Sequence, residues 1–175
     1  TSSEGSTLYR YRQVPTAAQV DYLKATNWTL KTIMRVPDDA YAPSPGAGTV
    51  FRDGSKTWSM QFGLVDGDMA VDIPGGRYTL TGLGNADYHE FALQYDRATE
   101  MAQLYVDGVA RLSPTAGTAT TWTDFYFGSN SSGAQGMGHY NHVSLVPEPG
   151  TLALLGMAGL ALLCVPSRRQ RVRVS

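Results

Sequence analysis

Hydrophobic residues in the first 146 positions recur with a period of two. From Thr57 to Val65, Trp58, Met60, Phe62 and Leu64 alternate with Ser59, Gln61 and Gly63. Phe91, Leu93 and Tyr95 alternate with Glu90, Ala92, Gln94 and Asp96, while Trp28, Leu30, Met34 and Val36 share a face opposite Lys31 and Arg35. Successive side chains of an extended strand point to opposite faces, so each run offers one face to a core and one to water, the habit of antiparallel sheets. Turn residues part the runs at Asp53-Gly54, Asp66-Gly67, Pro74-Gly75-Gly76 and Asp107-Gly108. About ten short strands at this spacing predict a two-sheet sandwich rather than an open sheet. One helix is predicted from Thr16 to Ala25, with Ala17, Val20, Leu23 and Lys24 at helical spacing. Ala40 to Gly48, with two prolines and two glycines, reads as a long loop.

Charge divides the chain where that pattern stops. The net charge of the 175 residues is −1, but residues 1–147 carry 10 Lys and Arg against 14 Asp and Glu, and residues 148–175 carry four Arg and one Glu. All 18 aromatic residues lie in the first piece, which argues for a packed core there rather than disorder. The near-neutral net charge of the whole chain gives no reason to expect nucleic acid. The single cysteine, Cys164, excludes an intrachain disulfide. The chain opens at Thr1, as expected where a signal peptide has been removed or where the sequence is a fragment.

The second piece runs VPEPGTLALLGMAGLALLCVPSRRQRVRVS, with no charge from Thr151 to Val165 and then Arg168, Arg169, Arg171 and Arg173. As a helix, residues 150–165 would be about 24 Å long, against about 30 Å of bilayer hydrocarbon. Snorkelling arginines and local thinning can close that gap, and the positive-inside bias would keep the arginines cytoplasmic. The alternative, a buried core helix with a solvated basic tail, calls for a polar face that this segment lacks. The order Val-Pro-Glu-Pro, apolar helix, arginine cluster resembles the PEP-CTERM sorting signal of exported bacterial proteins. That resemblance implies that Pro147, Glu148 and Pro149 are the recognition motif for an exosortase. It also implies that the helix holds the precursor in the inner membrane and that the four arginines anchor the tail in the cytoplasm. Cys164 reads as a small apolar filler.

Within the body, the run from Tyr88 to Asp96 followed by Met101 to Gly108, with Leu104-Tyr105-Val106-Asp107-Gly108, resembles a hairpin of concanavalin A-like lectin and glucanase domains, including the laminin-G-like group. Phe125-Tyr126-Phe127-Gly128 and Tyr140-Asn141-His142-Val143-Ser144-Leu145 resemble that family's last strands. The resemblance implies an all-β jelly roll of two curved antiparallel sheets over residues 1–146, and the apolar tail adds a C-terminal transmembrane helix after it. The second unit, residues 147–175, then comprises the motif 147–149, the helix 150–165 and the arginine-rich tail 166–175. It also implies sugar on one sheet where anything is bound.

Glycosidases of this type need two carboxylates at a set spacing, about 5–5.5 Å for retention or 6.5–9.5 Å for inversion. The resemblance implies a Glu-x-Asp-x-x-Glu strand for them, yet the body has only Glu4, Glu90 and Glu100, none two residues from an aspartate. The expectation is therefore no enzyme and no catalytic residue, with a glycan-active hydrolase using displaced carboxylates as the alternative. Asp66, Asp68 and Asp72 form the densest acidic cluster, and Asp87 lies in a neighbouring loop. They read as a calcium site or, more simply, as hairpin-turn residues, and no metal or other cofactor is expected. His89, His139 and His142 read as structural rather than ligating, the last two facing opposite sides of one strand. Tyr41, Tyr88, Trp122 and Tyr126 are the candidates for stacking on a glycan, with ordinary packing as the alternative. Asn27-Trp28-Thr29 and Asn130-Ser131-Ser132 match a glycosylation sequon without bearing on function here.

The whole reads as an exported cell-envelope protein with a lectin-like binding or structural module. Its expected partners are an exosortase-type enzyme, the inner membrane in passing, and extracellular polysaccharide. A permanently anchored adhesion module is the remaining alternative.

Overall fold

Alternation of apolar and polar residues becomes alternation of faces among the described residues, which form twelve strands and one helix in the order β1 (Arg10–Gln13), α1 (Ala17–Ala25), β2 (Trp28–Arg35), β3 (Ala47–Asp53), β4 (Lys56–Val65), β5 (Asp68–Ile73), β6 (Gly76–Thr79), β7 (His89–Asp96), β8 (Met101–Val106), β9 (Val109–Thr115), β10 (Thr118–Ala119), β11 (Thr123–Ser129) and β12 (His139–Pro147). The computed structural model describes residues 10–36, 47–82, 85–129 and 138–148. One sheet has seven strands in the order β1-β11-β3-β4-β5-β6, with β10 beside β4; the other has five, β12-β2-β7-β8-β9. Every pairing is antiparallel. The fold is all-β, in two sheets, as the periodicity predicts.

The even-numbered residues of β4, Trp58, Met60, Phe62 and Leu64, face Trp28, Leu30 and Met34 of β2 across one buried core. Trp28 is its pivot. Its indole stacks on Tyr95 at 4.9 Å and meets Phe51 and Trp58 edge-on at 5.5 and 5.6 Å. At the other end Phe62 meets Phe91 at 4.9 Å, so aromatic pairs clamp the two sheets at both ends. Between them Thr32 Oγ1 donates to Thr49 Oγ1 at 2.9 Å, so two buried hydroxyls satisfy each other.

Local chemistry fixes the ends of these elements. Thr16 caps α1: its Oγ1 accepts from Gln19 N, and the Gln19 side chain accepts in return from Thr16 N. Val20 and Leu23 are the helix's buried residues, and Leu23 joins the core. The β4–β5 and β8–β9 turns are the two-residue pairs Asp66-Gly67 and Asp107-Gly108. All four residues have φ between 50° and 86°, the conformation that matches strand twist and that Asp and Gly adopt at least cost.

Two expectations need correction. Strand β3 starts at Ala47, so Ala47 and Gly48 belong to a strand rather than to the predicted loop; they pair with Phe62 and Gln61 of β4. Residues 37–46 lie outside the described residues. Ala92, placed on the solvent face of β7, is buried. It stands in register between Lys31 and Tyr105, whose longer side chains shield its methyl group. Among the described residues no helix is long and apolar enough to cross a membrane. The predicted span 150–165, Cys164 and the four tail arginines lie outside them.

Replacing Trp28 with alanine removes the ring on which Phe51, Trp58 and Tyr95 converge. The expected loss is about 3–5 kcal/mol of unfolding free energy, read from the urea midpoint at unchanged slope. A loss below about 1 kcal/mol would show that the contact is not central.

Candidate functional site

Opposed residues of paired strands share a face. On the seven-stranded sheet, the face away from the core carries Arg10 and Arg12 of β1, Asp124 and Tyr126 of β11, and Arg52 of β3, by the registers Arg12↔Tyr126 and Asp124↔Arg52. Asp124 is 2 % exposed. Its Oδ2 accepts from Arg12 Nε at 2.9 Å, and its Oδ1 lies 3.5 Å from Arg52 Nη1. Tyr126 is 4 % exposed. The guanidinium groups of Arg10 and Arg52 lie over its ring at 5.1 and 5.2 Å, and Arg52 Nη2 donates to its hydroxyl at 3.2 Å. Burial raises the Tyr126 phenol above its ordinary pKa. One buried carboxylate and one ring thus hold three arginines in place. Sequence reasoning named Tyr126 but missed the four charged residues around it. The available signal was Asp124, the only charge in the aromatic strand TDFYFGS.

The three described residues among the predicted glycan contacts, Tyr88, Trp122 and Tyr126, do not converge. Tyr41 lies outside the described residues. Tyr88, 46 % exposed, sits before β7 with Arg35 over its ring at 5.6 Å. Trp122, 62 % exposed, sits before β11, where its carbonyl accepts from Gly54 N. Since β7 starts opposite Met34 and β11 starts opposite Asp53, Tyr88 and Trp122 stand at opposite ends of the sandwich. Tyr126 has its ring engaged by arginines rather than open to a sugar.

The histidines and aspartates are likewise dispersed. His89 Nδ1 is 2.7 Å from Asp107 Oδ2, and Asp107 Oδ1 accepts from Glu90 N, which ties the start of β7 to the β8–β9 turn. His139 approaches Arg35, and His142 pairs with Ser144. A bulge between Tyr140 and His142 inserts one residue, so His139 and His142 lie opposite Arg35 and Ile33, both on the outer face of β2. The expectation that they face opposite sides is therefore wrong, because the bulge breaks the alternation it assumed. Asp66 forms the β4–β5 turn, Asp68 Oδ1 accepts from Gly82 N, and Asp72 makes a bidentate pair with Arg77 at 2.5 and 2.7 Å. Asp87 is exposed before β7. Among the described residues no three His, Cys, Asp or Glu side chains group to hold a metal ion.

The last strand carries the other candidate. Pro147, with no N–H to donate, ends β12 at the edge of its sheet, opposite Trp28. Glu148 continues the contact: its N donates to Asn27 O at 2.8 Å, and Thr29 Oγ1 donates to Glu148 Oε1 at 3.1 Å. Asn27 Oδ1 in turn accepts from Arg97 N in the β7–β8 turn. Pro149 lies outside the described residues.

Residues 145–169 match the PEP-CTERM protein-sorting motif, a signal of exported proteins whose precursors are membrane-anchored before processing. A search of curated proteins finds no match. Among solved structures, the chain is similar to the carbohydrate-binding module CBM66 from Bacillus subtilis, with 12% identity, TM-score 0.41, and 69% of this chain and 75% of that one covered. It is also similar to sheep galectin-11, with 10% identity, TM-score 0.43, and coverage of 80% and 98%. A third is the catalytic domain of a glycoside hydrolase family 131 protein from Coprinopsis cinerea, with 16% identity, TM-score 0.44, and coverage of 71% and 57%.

Tyr140 supplies a pH test of this arrangement. Its hydroxyl donates to Gly48 O at 3.0 Å, and burial raises its pKa above the ordinary tyrosine value. The unfolded chain then releases this proton first, at about pH 10, so stability falls as pH rises past that point. Urea unfolding of Tyr140→Phe should show a shallower decline between about pH 10 and 12 than the parent, at a cost of about 1 kcal/mol at pH 7 from the lost hydrogen bond. Equal declines would mean that the phenol does not govern alkaline stability.

Proposed function

We propose that the chain is an exported, non-enzymatic cell-envelope protein. Its body, residues 1–146, is a concanavalin A-like jelly roll that binds or organises extracellular polysaccharide. Its tail, residues 147–175, is a temporary anchor. The helix 150–165 holds the precursor in the inner membrane with Arg168, Arg169, Arg171 and Arg173 in the cytoplasm, and an exosortase-type enzyme acts at Pro147-Glu148-Pro149. The observation that carries this reading is the sorting-motif match at 145–169, which begins inside the last strand of the sandwich. Folded domain and tail thus meet without a linker.

The strand topology supports the jelly-roll reading, because the chain passes between the sheets repeatedly and its last strands β11 and β12 return beside β1, β3 and β2. Two carboxylate placements support a binding rather than a hydrolytic role. Glu90 is paired with Lys31 at 2.9 Å, and Glu100 lies in an exposed turn with Arg97. A surface-bound or released module that contacts polysaccharide needs no reaction chemistry, only an exposed face.

Changing Pro147, Glu148 and Pro149 to alanine should leave the full-length precursor in the inner membrane, seen as a band of undiminished mass in fractionated cells. A shortened form at the parent level would sink the sorting reading. A glycan array probed with the protein should give retention on extracellular polysaccharides. No binding to any glycan would leave a purely structural module.

A further inference from the structure

We infer that the arginine cluster on the outer face of the seven-stranded sheet is a binding site for an acidic saccharide, one bearing carboxylate or sulfate groups. The inference deepens the glycan-binding reading above and rests on it. Arg12 and Arg52 pair with a single carboxylate, Asp124, and Arg10 joins them over the neighbouring Tyr126 ring, so the patch is cationic on a body whose net charge is negative. Asp124 is spent inward: it lies under the arginines and fixes Arg12 and Arg52. Arg10 is exposed and lies over the ring of Tyr126, and among the described residues it makes no ion pair. Arg12 keeps 41% of its side-chain surface open and Arg52 26%.

Guanidinium forks pair with planar anions through two parallel hydrogen bonds, and a fork already held in place loses less freedom on binding. The Tyr126 ring and the Asp124 carboxylate provide that hold. Neutral sugars would find no open aromatic face here, since Tyr126 is covered. The chemistry selects charge.

The test uses the full chain in neutral detergent and its retention by polygalacturonate, dextran sulfate and uncharged dextran. Arg10→Gln is the informative variant, because Arg10 makes no ion pair with Asp124 and its loss leaves the fold intact, verified by an unchanged urea midpoint. Arg97→Gln, at a distant turn, matches its charge change, and both variants keep the four tail arginines. The site predicts binding to a polyanion that Arg10→Gln weakens roughly tenfold while Arg97→Gln leaves it unchanged. Preference for polygalacturonate or dextran sulfate tells carboxylate from sulfate. Equal weakening by both variants, or no retention on either polyanion, overturns the inference. Retention on dextran alone overturns it while leaving the glycan-binding reading standing.

A second inference stands on separate observations. The geometry points to a latch in which the folded sandwich holds the first two residues of the sorting motif against β2, so that a processing enzyme must peel Pro147 and Glu148 from Trp28, Asn27 and Thr29. An extended recognition segment paired in a sheet edge cannot be enclosed by a second protein at the same time. Inserting Gly-Ser-Gly-Ser between Val146 and Pro147 should release the motif and at least double the rate of precursor shortening in a pulse-chase. Thr29→Val, which removes one exposed hydrogen bond, should give a smaller increase. Unchanged or slower processing in both variants would overturn the latch.

Discussion

The contact between Trp28 and the facing sheet sets the geometry of everything around it. Its indole reaches Phe51 and Trp58 on one sheet while stacking on Tyr95 in its own. Burying a ring of this size against three others fixes β2 relative to β3 and β4 more firmly than backbone pairing alone, because side-chain packing is sensitive to displacements of a methyl group's size. The register of β12 on β2 follows from that placement, and with it the position of Pro147 directly opposite Trp28. The point where the sorting motif leaves the domain is thus set by the core.

Charge is organised against this frame in two ways. Most ion pairs are exposed and worth little to stability, such as Arg97 with Glu100. The group around Asp124 differs because its carboxylate is buried while the arginines reach the surface. A buried acid that orients surface bases makes a rigid cationic patch, whereas unsupported arginines would sample many rotamers. An acidic body with one such patch and a basic, membrane-directed tail is a chain whose average charge describes no part of it.

Much of the fold was legible because a half-buried sheet writes itself into the sequence as alternation. Strands β2, β4 and β7 read directly, and Asp-Gly pairs marked the turns. The Thr16 to Ala25 helix was visible from its apolar spacing. What escaped has physical causes. Ala47 and Gly48 looked like loop because small residues suit either state, and pairing with Phe62 and Gln61 decides it. Strict alternation puts His139 and His142 on opposite faces, and a bulge leaves no mark in the sequence to correct it. The arginine cluster is assembled from β1, β3 and β11, far apart in sequence, so only the register brings Arg10 and Arg52 over Tyr126. By contrast the tail was legible as a local signal, since motif, apolar run and arginines are contiguous.

In the proposed reading, the folded module meets a removable tail at the end of its last strand. Intact mass of the protein recovered from outside the inner membrane tests that junction directly. The predicted mass ends at or near residues 147–149, with the segment from Thr151 through Arg173 gone. A recovered form that still carries the arginine tail would contradict it and make the C-terminal segment a lasting anchor.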